Sequence, residues 1–281
     1  MAARFLDRSD RSKLCFSDEQ AAWFLDQILT QSLGDIAAGE ARDAAMITVK
    51  GRMRFFFEIV ARGERVLLTH LEPGLAASVQ EELQRYVFAT RVTIEDVSDT
   101  YALILIIGEE WREVAERTGV DGLILHPTRS YGEDAGYVWA PSADHQLLLG
   151  KLAECGAQRI SEDESESIRI AAGIPRWGFD MDESTFPQEA GIDGRAVHYT
   201  KGCYLGQEAM AKIHFRGRVN RRLARLVAEG PIEAGSEIQV QGEKVGVVTS
   251  ASGVSALGYV KHTVEIGTEA SVGDMKASVE S

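Results

Sequence analysis

Residues 101–107 read Tyr-Ala-Leu-Ile-Leu-Ile-Ile, a run of seven without a charge and without a polar face. A strand with one face in water alternates apolar and polar side chains, so a strand lacking that alternation is covered on both sides. The chain must therefore build a sheet with packing layers above and below it. Its 281 residues, 44% of them apolar, suffice for about two domains with real cores. The run is far too short to span a bilayer. The N-terminal Met-Ala-Ala-Arg-Phe-Leu-Asp-Arg also lacks an apolar core of signal-peptide length. Cysteines at 15, 155 and 203 form an odd set without short spacing. That argues against a disulfide framework or a four-cysteine metal site and fits reduced thiols in a cytoplasm.

Local signals divide the chain into an α+β body and a β-rich end. Ser17-Asp18-Glu19-Gln20 has the form of a capping box, followed by Ala21, Phe24, Leu25, Ile28 and Leu29 at helical spacing, with an end expected near Gly34. Residues 45–49 and 54–60 read as strands around the turn Lys50-Gly51-Arg52-Met53. A helix after Pro73-Gly74 carries Leu75, Val79, Leu83, Tyr86 and Val87 on one face, and strands follow over 91–97 and 101–107. Ser142 and Ser161 stand where helix caps are expected. The acidic run 161–166 suits a helix N-terminus, which favours negative charge. That helix stops at Gly173-Ile174-Pro175. Past residue 218 the pattern becomes short β segments (223–227, 237–240, 245–249, 256–260) separated by glycine turns such as Gln241-Gly242. The expected organisation is a body over 1–217, in lobes of about 1–135 and 136–217, and a small barrel over 218–281.

Residues 201–208, Lys-Gly-Cys-Tyr-Leu-Gly-Gln-Glu, carry the densest chemistry. The glycines point to a tight turn or a close backbone approach. Lys201 beside Cys203 would favour the reactive thiolate; the alternative is a small cysteine buried in a turn. Six basic residues follow in seventeen positions: Lys212, Arg216, Arg218, Arg221, Arg222 and Arg225, with no acid between Glu208 and Glu229. On a chain of formal charge −13 this is a cationic island. Arginine forks suit carboxylates and phosphates, so an anionic ligand or partner is expected, with about half of the arginines pairing with acids of the chain itself. The acidic balance argues against general nucleic-acid binding but leaves a local RNA contact through 212–225 open. The chain has neither a glycine-rich phosphate loop nor a Gly-x-Ser-x-Gly elbow. No two histidines have metal-binding helical spacing. His198, Cys203 and His214 could meet around an ion, but nothing demands it and no metal site is assigned.

The octapeptide, followed by Arg216-Gly217-x-x-x-Arg221, resembles the signature of the YgfZ-type folate-binding proteins. These are relatives of the glycine-cleavage T protein (aminomethyltransferase) and act in iron–sulfur cluster assembly or repair. Lys50-Gly51-Arg52-Met53 resembles the family's early turn. Ala172-Gly173-Ile174-Pro175, Phe186-Pro187-Gln188-Glu189 and the C-terminal Val245–Ser250 with Ala256-Leu257-Gly258 extend the similarity over nearly the whole chain. The resemblance implies a folate-binding two-lobed aminomethyltransferase-like body with a C-terminal β-barrel. It implies tetrahydrofolate or a derivative, polyglutamated or not, as cofactor, with contacts at Lys50, Met53, Glu189, Tyr204, Gln207, Arg216 and Arg221. Glu189 would hold the pterin ring, because a carboxylate can accept from two adjacent N–H donors. Cys203 would be the reactive thiol, assisted by Lys201, or a buried cysteine fixing the turn. Cys15 and Cys155 read as structural. The implied partners are iron–sulfur proteins or their assembly machinery, and tRNA-modifying enzymes; no membrane or DNA partner is expected.

The transferases themselves carry Asn-Ala-x-Asn followed closely by Lys-Asp. The corresponding stretch here, Thr69–Ser78, has no aspartate. The expectation is a folate pocket without classical aminomethyl transfer and without turnover of its own. The alternative is a one-carbon transferase whose catalytic group has moved to His70 or Glu72.

Overall fold

The computed structural model describes residues 3–63, 65–132 and 134–280, apart from the side chain of Arg216. In chain order the first sheet-forming half contains β1 (Arg4–Asp7), β2 (Ser12–Ser17), α1 (Ala21–Ile28), β3 (Ala41–Ile47), β4 (Met53–Gly63), β5 (Val66–Leu71), α2 (Ala76–Gln84) and β6 (Thr93–Asp96). Then come β7 (Tyr101–Ile107), α3 (Trp111–Arg117), β8 (Ile124–Thr128), β9 (Ala135–Pro141), α4 (His145–Glu154), β10 (Gln158–Arg159), α5 (Glu162–Ala171), α6 (Asp193–Ala196) and α7 (Gln207–Arg216). The last segment is β11 (Arg221–Ala228), β12 (Glu237–Val240), β13 (Glu243–Ser252), β14 (Ser255–Lys261), β15 (Glu269–Val272) and β16 (Met275–Glu280).

The apolar run is β7, and both of its faces are covered. Ile104 and Ile106 pack under α3 and α4, while Leu103, Leu105 and Ile107 pack inward against Val60 and Leu68 of the other sheet. All five are fully buried. Each such side chain contributes about 1.5–3 kcal/mol when withdrawn from water. The two five-stranded sheets, β3-β4-β5-β2-β6 and β10-β1-β7-β9-β8, face each other. Helices α1 and α2 cover the outer face of the first sheet through Phe24, Leu25, Val79 and Leu83. The result is four layers, helix, sheet, sheet, helix.

The sheets divide the body near residue 97, not near 135. β1 pairs with β7 and so belongs to the second sheet despite opening the chain. A second correction concerns α1. Ser17 is paired with both Val66 and Thr93 in the sheet, and Asp18 turns the chain with φ 90°. Strand pairing therefore claims the serine, α1 starts at Ala21 without a side-chain cap, and it ends at Ile28. Ser142 does not cap α4 either; its hydroxyl donates to Asp99 O at 2.6 Å. Ser161 does cap α5, in a reciprocal box with Glu164.

The C-terminal strands close into a six-stranded barrel, β11-β14-β13-β12-β15-β16. The first four strands match the expected segments, while β15 and β16, which complete the closure, carried no distinct signal. Helix α5 joins barrel to body. Arg169 bonds Asp180 Oδ2 at 2.7 Å and Ser250 Oγ at 3.1 Å, and Tyr259 Oη donates to Asp180 O at 2.9 Å.

Candidate functional site

Strand pleating turns two polar side chains into the space between the sheets. Glu58 of β4 and His70 of β5 are direct cross-strand partners, and both are buried. The facing sheet presents His126, Tyr137 and Trp139. Trp139 Nε1 donates to His126 Nε2 at 3.1 Å. An indole nitrogen only donates, so His126 Nε2 holds a lone pair and its proton sits on Nδ1, 3.3 Å from Glu58 Oε1. Glu58 Oε2 accepts from Thr128 Oγ1 at 2.9 Å and Ser130 Oγ at 3.4 Å. His70 lies against Tyr137 with ring centroids 4.2 Å apart.

Among the described residues neither nitrogen of His70 has a hydrogen-bond partner, and Glu58 Oε1 lacks a properly aligned one. Burial, and then Arg11, the neighbouring His126 ring, Arg8 and Lys13, hold the His70 pKa well below the ordinary imidazole value, so the ring is neutral. An unsatisfied buried polar atom costs about 1–3 kcal/mol, so a fold that keeps two on one side chain needs a reason.

Ligand atoms of Glu58, His70 and His126 lie within 4.8 Å of one another, a spacing that could hold a metal ion. The donor set does not fit one as it stands. His126 Nε2 is committed to Trp139, and lending Nδ1 to a cation would require the imidazolate.

Glu58 and His70 line a cleft whose walls include Phe55, Phe56, Tyr131, Tyr137 and Trp177. Its empty space totals about 610 Å³ including the mouth, yet only about 50 Å³ admits a water-sized occupant. An ion-pair cluster also lines the cleft: Glu72 accepts from Arg176 at 2.7 and 2.9 Å and lies 3.0 Å from Arg11. Burial pushes the Glu72 carboxyl up, but Arg176 and Arg11 outweigh it and leave its pKa below the usual range. Arg8 adds bonds to Tyr131 Oη and Ser165 Oγ, each 2.9 Å.

The motifs singled out in the sequence converge beside the cleft rather than in it. Met53, Tyr204 and Met210 share a buried cluster with Met181 and Ile192, edged by Phe56 and Trp177. Lys50 is exposed at its turn. Gln207 Nε2 donates to Lys201 O at 3.2 Å. Glu189 is buried at the seam between body and barrel. Its Oε2 lies 3.2 Å from both Phe186 N and Arg221 Nη2, and its carbonyl accepts from Leu223 N at 2.7 Å. Arg221 also stacks on Tyr259, 4.4 Å from the ring centroid. Glu189 and Arg221 thus complete each other and do not line the cleft. Arg216 lies outside the described side chains.

Lys201 is not aimed at making a thiolate. Its Nζ donates to Leu29 O at 2.9 Å, Gln31 O at 2.7 Å and Asp26 O, and lies 3.3 Å from Asp26 Oδ1. It clamps the end of α1. Cys203 is exposed, not buried in the turn. His214 stacks on Tyr199 at 3.7 Å, and among the described residues His198, Cys203 and His214 do not gather into a metal-sized cluster. Within the cationic island, Arg221, Arg222 and Arg225 are spent on Glu189, Val264 O and Glu280. Sequence reasoning missed Glu58 and His126; the available signal was a lone carboxylate inside the apolar run Phe55–Val60.

Comparison with known proteins follows the same geometry. Residues 220–281 match the family described as CAF17, C-terminal beta-barrel domain. The glycine cleavage system aminomethyltransferase T from Bartonella henselae superposes over 100% of this chain and 85% of its own, with TM-score 0.89 at 20% identity. The fold is that of an aminomethyltransferase. By sequence, the chain is 27% identical to the aminomethyltransferase of Rubrobacter xylanophilus, over 95% of this chain and 78% of that protein. It is also 27% identical to a chloroplastic Arabidopsis thaliana protein, At1g60990, whose name calls it a transferase, over 96% of this chain and 68% of that one. The α+β body with a closed barrel is thus as the sequence led us to expect. Among the described residues no helix is long and apolar enough to cross a membrane.

Proposed function

We propose that the chain binds a reduced folate in the cleft between its two sheets and serves as an accessory factor in iron–sulfur cluster assembly or repair. The observation that carries this reading is the cleft itself: in an aminomethyltransferase fold, five aromatic rings (Phe55, Phe56, Tyr131, Tyr137 and Trp177) wall a space with a few convergent polar groups at depth. Flat rings suit a fused heterocycle, and the Arg11–Glu72–Arg176 cluster beside them would reorganise as it enters. Exposed Cys203 is the group we assign to meeting an iron–sulfur protein or its machinery, in the cytoplasm, where free thiols persist. Contact with tRNA-modifying enzymes belongs to the same proposal.

Calorimetric titration with tetrahydrofolate and its 5-formyl derivative tests the pocket. Micromolar binding that weakens at least tenfold in Trp177→Ala supports it; no binding of either folate by the wild type overturns it. A one-carbon transferase is the second reading, favoured by His70 and Glu72 both lining the cleft. Folate-dependent turnover that survives His70→Asn combined with Glu72→Gln would remove those two residues as its catalytic groups.

A further inference from the structure

His70 and Glu58 hold unspent hydrogen-bonding capacity at one place. A neutral imidazole always presents one N–H and one lone pair, and among the described residues neither His70 nitrogen has a partner while the ring is buried. A carboxylate oxygen of Glu58 lies within 4.8 Å of a ring nitrogen of His70. Thr128 and Ser130 hold Oε2 of that carboxylate, which fixes the direction of its other oxygen. The pair also lines the aromatic cleft.

We infer that Glu58 and His70 form a recognition site for a cis-lactam edge, an N–H beside a C=O, on the heterocycle bound in the cleft. The ligand N–H donates to Glu58 Oε1, and the His70 N–H donates to the ligand carbonyl. Two parallel hydrogen bonds to adjacent ligand atoms need protein partners roughly 3–5 Å apart, which this pair satisfies. The inference rests on the folate reading, because it assigns the polar end of that ligand to named residues, and it transfers to Glu58 the carboxylate role that Glu189 is not placed to fill. Waters that solvate these atoms before binding would be displaced by the ligand edge.

The test uses the full chain and two small probes, pterin, which carries the lactam, and 2,4-diaminopteridine, which replaces it with an amino group beside a bare ring nitrogen. Fluorescence titration compares wild type with His70→Phe. The wild type is expected to bind pterin at least tenfold more tightly than the diamino compound, and His70→Phe is expected to lose at least tenfold in pterin affinity together with most of that preference. Because His70 makes no hydrogen bond to the described residues, His70→Phe should melt at the wild-type temperature or above it. The ratio of two affinities is read on one sample, so a smaller folded fraction cannot mimic its loss.

Unchanged pterin affinity in His70→Phe, a wild-type preference for the diamino compound, or stoichiometric Zn²⁺ or Co²⁺ uptake lost in His70→Phe would each overturn the assignment. Wild type that binds pterin but not tetrahydrofolate leaves this site standing and defeats the folate reading. Tetrahydrofolate bound equally by both chains does the reverse, and wild type that binds neither defeats both.

Discussion

The two glycines of the Lys-Gly-Cys-Tyr-Leu-Gly-Gln-Glu turn look alike in sequence and should behave very differently when changed to alanine. Gly206 is the N-cap of α7 at φ 80° and ψ 3°. A Cβ there would lie 2.4 Å from Thr48 O and 2.8 Å from Ile47 Cδ1. Neither neighbour can yield cheaply. Thr48 is locked in the adjoining turn, its carbonyl accepting from Gly51 N at 2.8 Å and its N–H donating to Arg52 O at 2.8 Å, and Ile47 is fully buried. Left-handed backbone costs a side chain about 1–2 kcal/mol, and overpacking adds about 1–3 kcal/mol. Gly206→Ala should therefore lose about 3 kcal/mol. At Gly202 a Cβ would meet nothing within 4 Å, and the backbone there is not left-handed, so Gly202→Ala should stay within about 0.5 kcal/mol of the wild type. Urea unfolding followed by tryptophan fluorescence reads this directly, because all four tryptophans (23, 111, 139 and 177) lie in the body and report its transition. With a slope of about 3 kcal/mol/M, the Gly206→Ala midpoint drops by about 1 M. A Gly206→Ala midpoint equal to wild type, or an equal loss in both variants, would refute the claim that the motif's second glycine exists for close packing on β3.

Replacing Lys201 with methionine should cost about 2–3 kcal/mol, because three carbonyls at the end of α1 lose their donor. Under native conditions the alkylation rate of Cys203 by iodoacetamide should stay within about twofold of wild type, since the ammonium is committed to those carbonyls; a large drop would restore Lys201 as the thiol's activator. Asp43, 2.9 Å from Arg195, gives a pH prediction. Burial raises its carboxyl to about 6 despite Arg195. The native state thus binds more protons than the unfolded chain between the ordinary carboxylate value of 3.8 and about 6, so this group's contribution to stability falls as pH rises through that window and stays low above it. Relative to Asp43→Asn, the wild type should lose stability as pH rises through that window in paired urea titrations; a difference that is flat or of opposite sign would show that Arg195 outweighs burial.

Local chemistry was legible wherever a few neighbouring residues decide the outcome. Ser161 and Glu164 formed their reciprocal cap, and the unalternating run 101–107 became a strand covered on both faces. The same capping signal failed at Ser17, where two distant strands compete for that backbone and win. The octapeptide announced a tight turn, and Gly206 supplies it, but the sequence could not say that Lys201 faces carbonyls or that Glu189 meets Arg221 across the barrel seam. Nor could it bring Glu58, His70 and His126 together. A charge or an imidazole within a strand has only two faces to choose from, and which face is inward depends on register and on the sheet packed opposite. By itself the sequence determined the layered α+β body, the glycine-punctuated barrel and the motif turns. Tertiary structure alone decided which polar groups would be spent on one another and which would remain free in the cleft, because that choice is made by contacts between strands far apart along the chain.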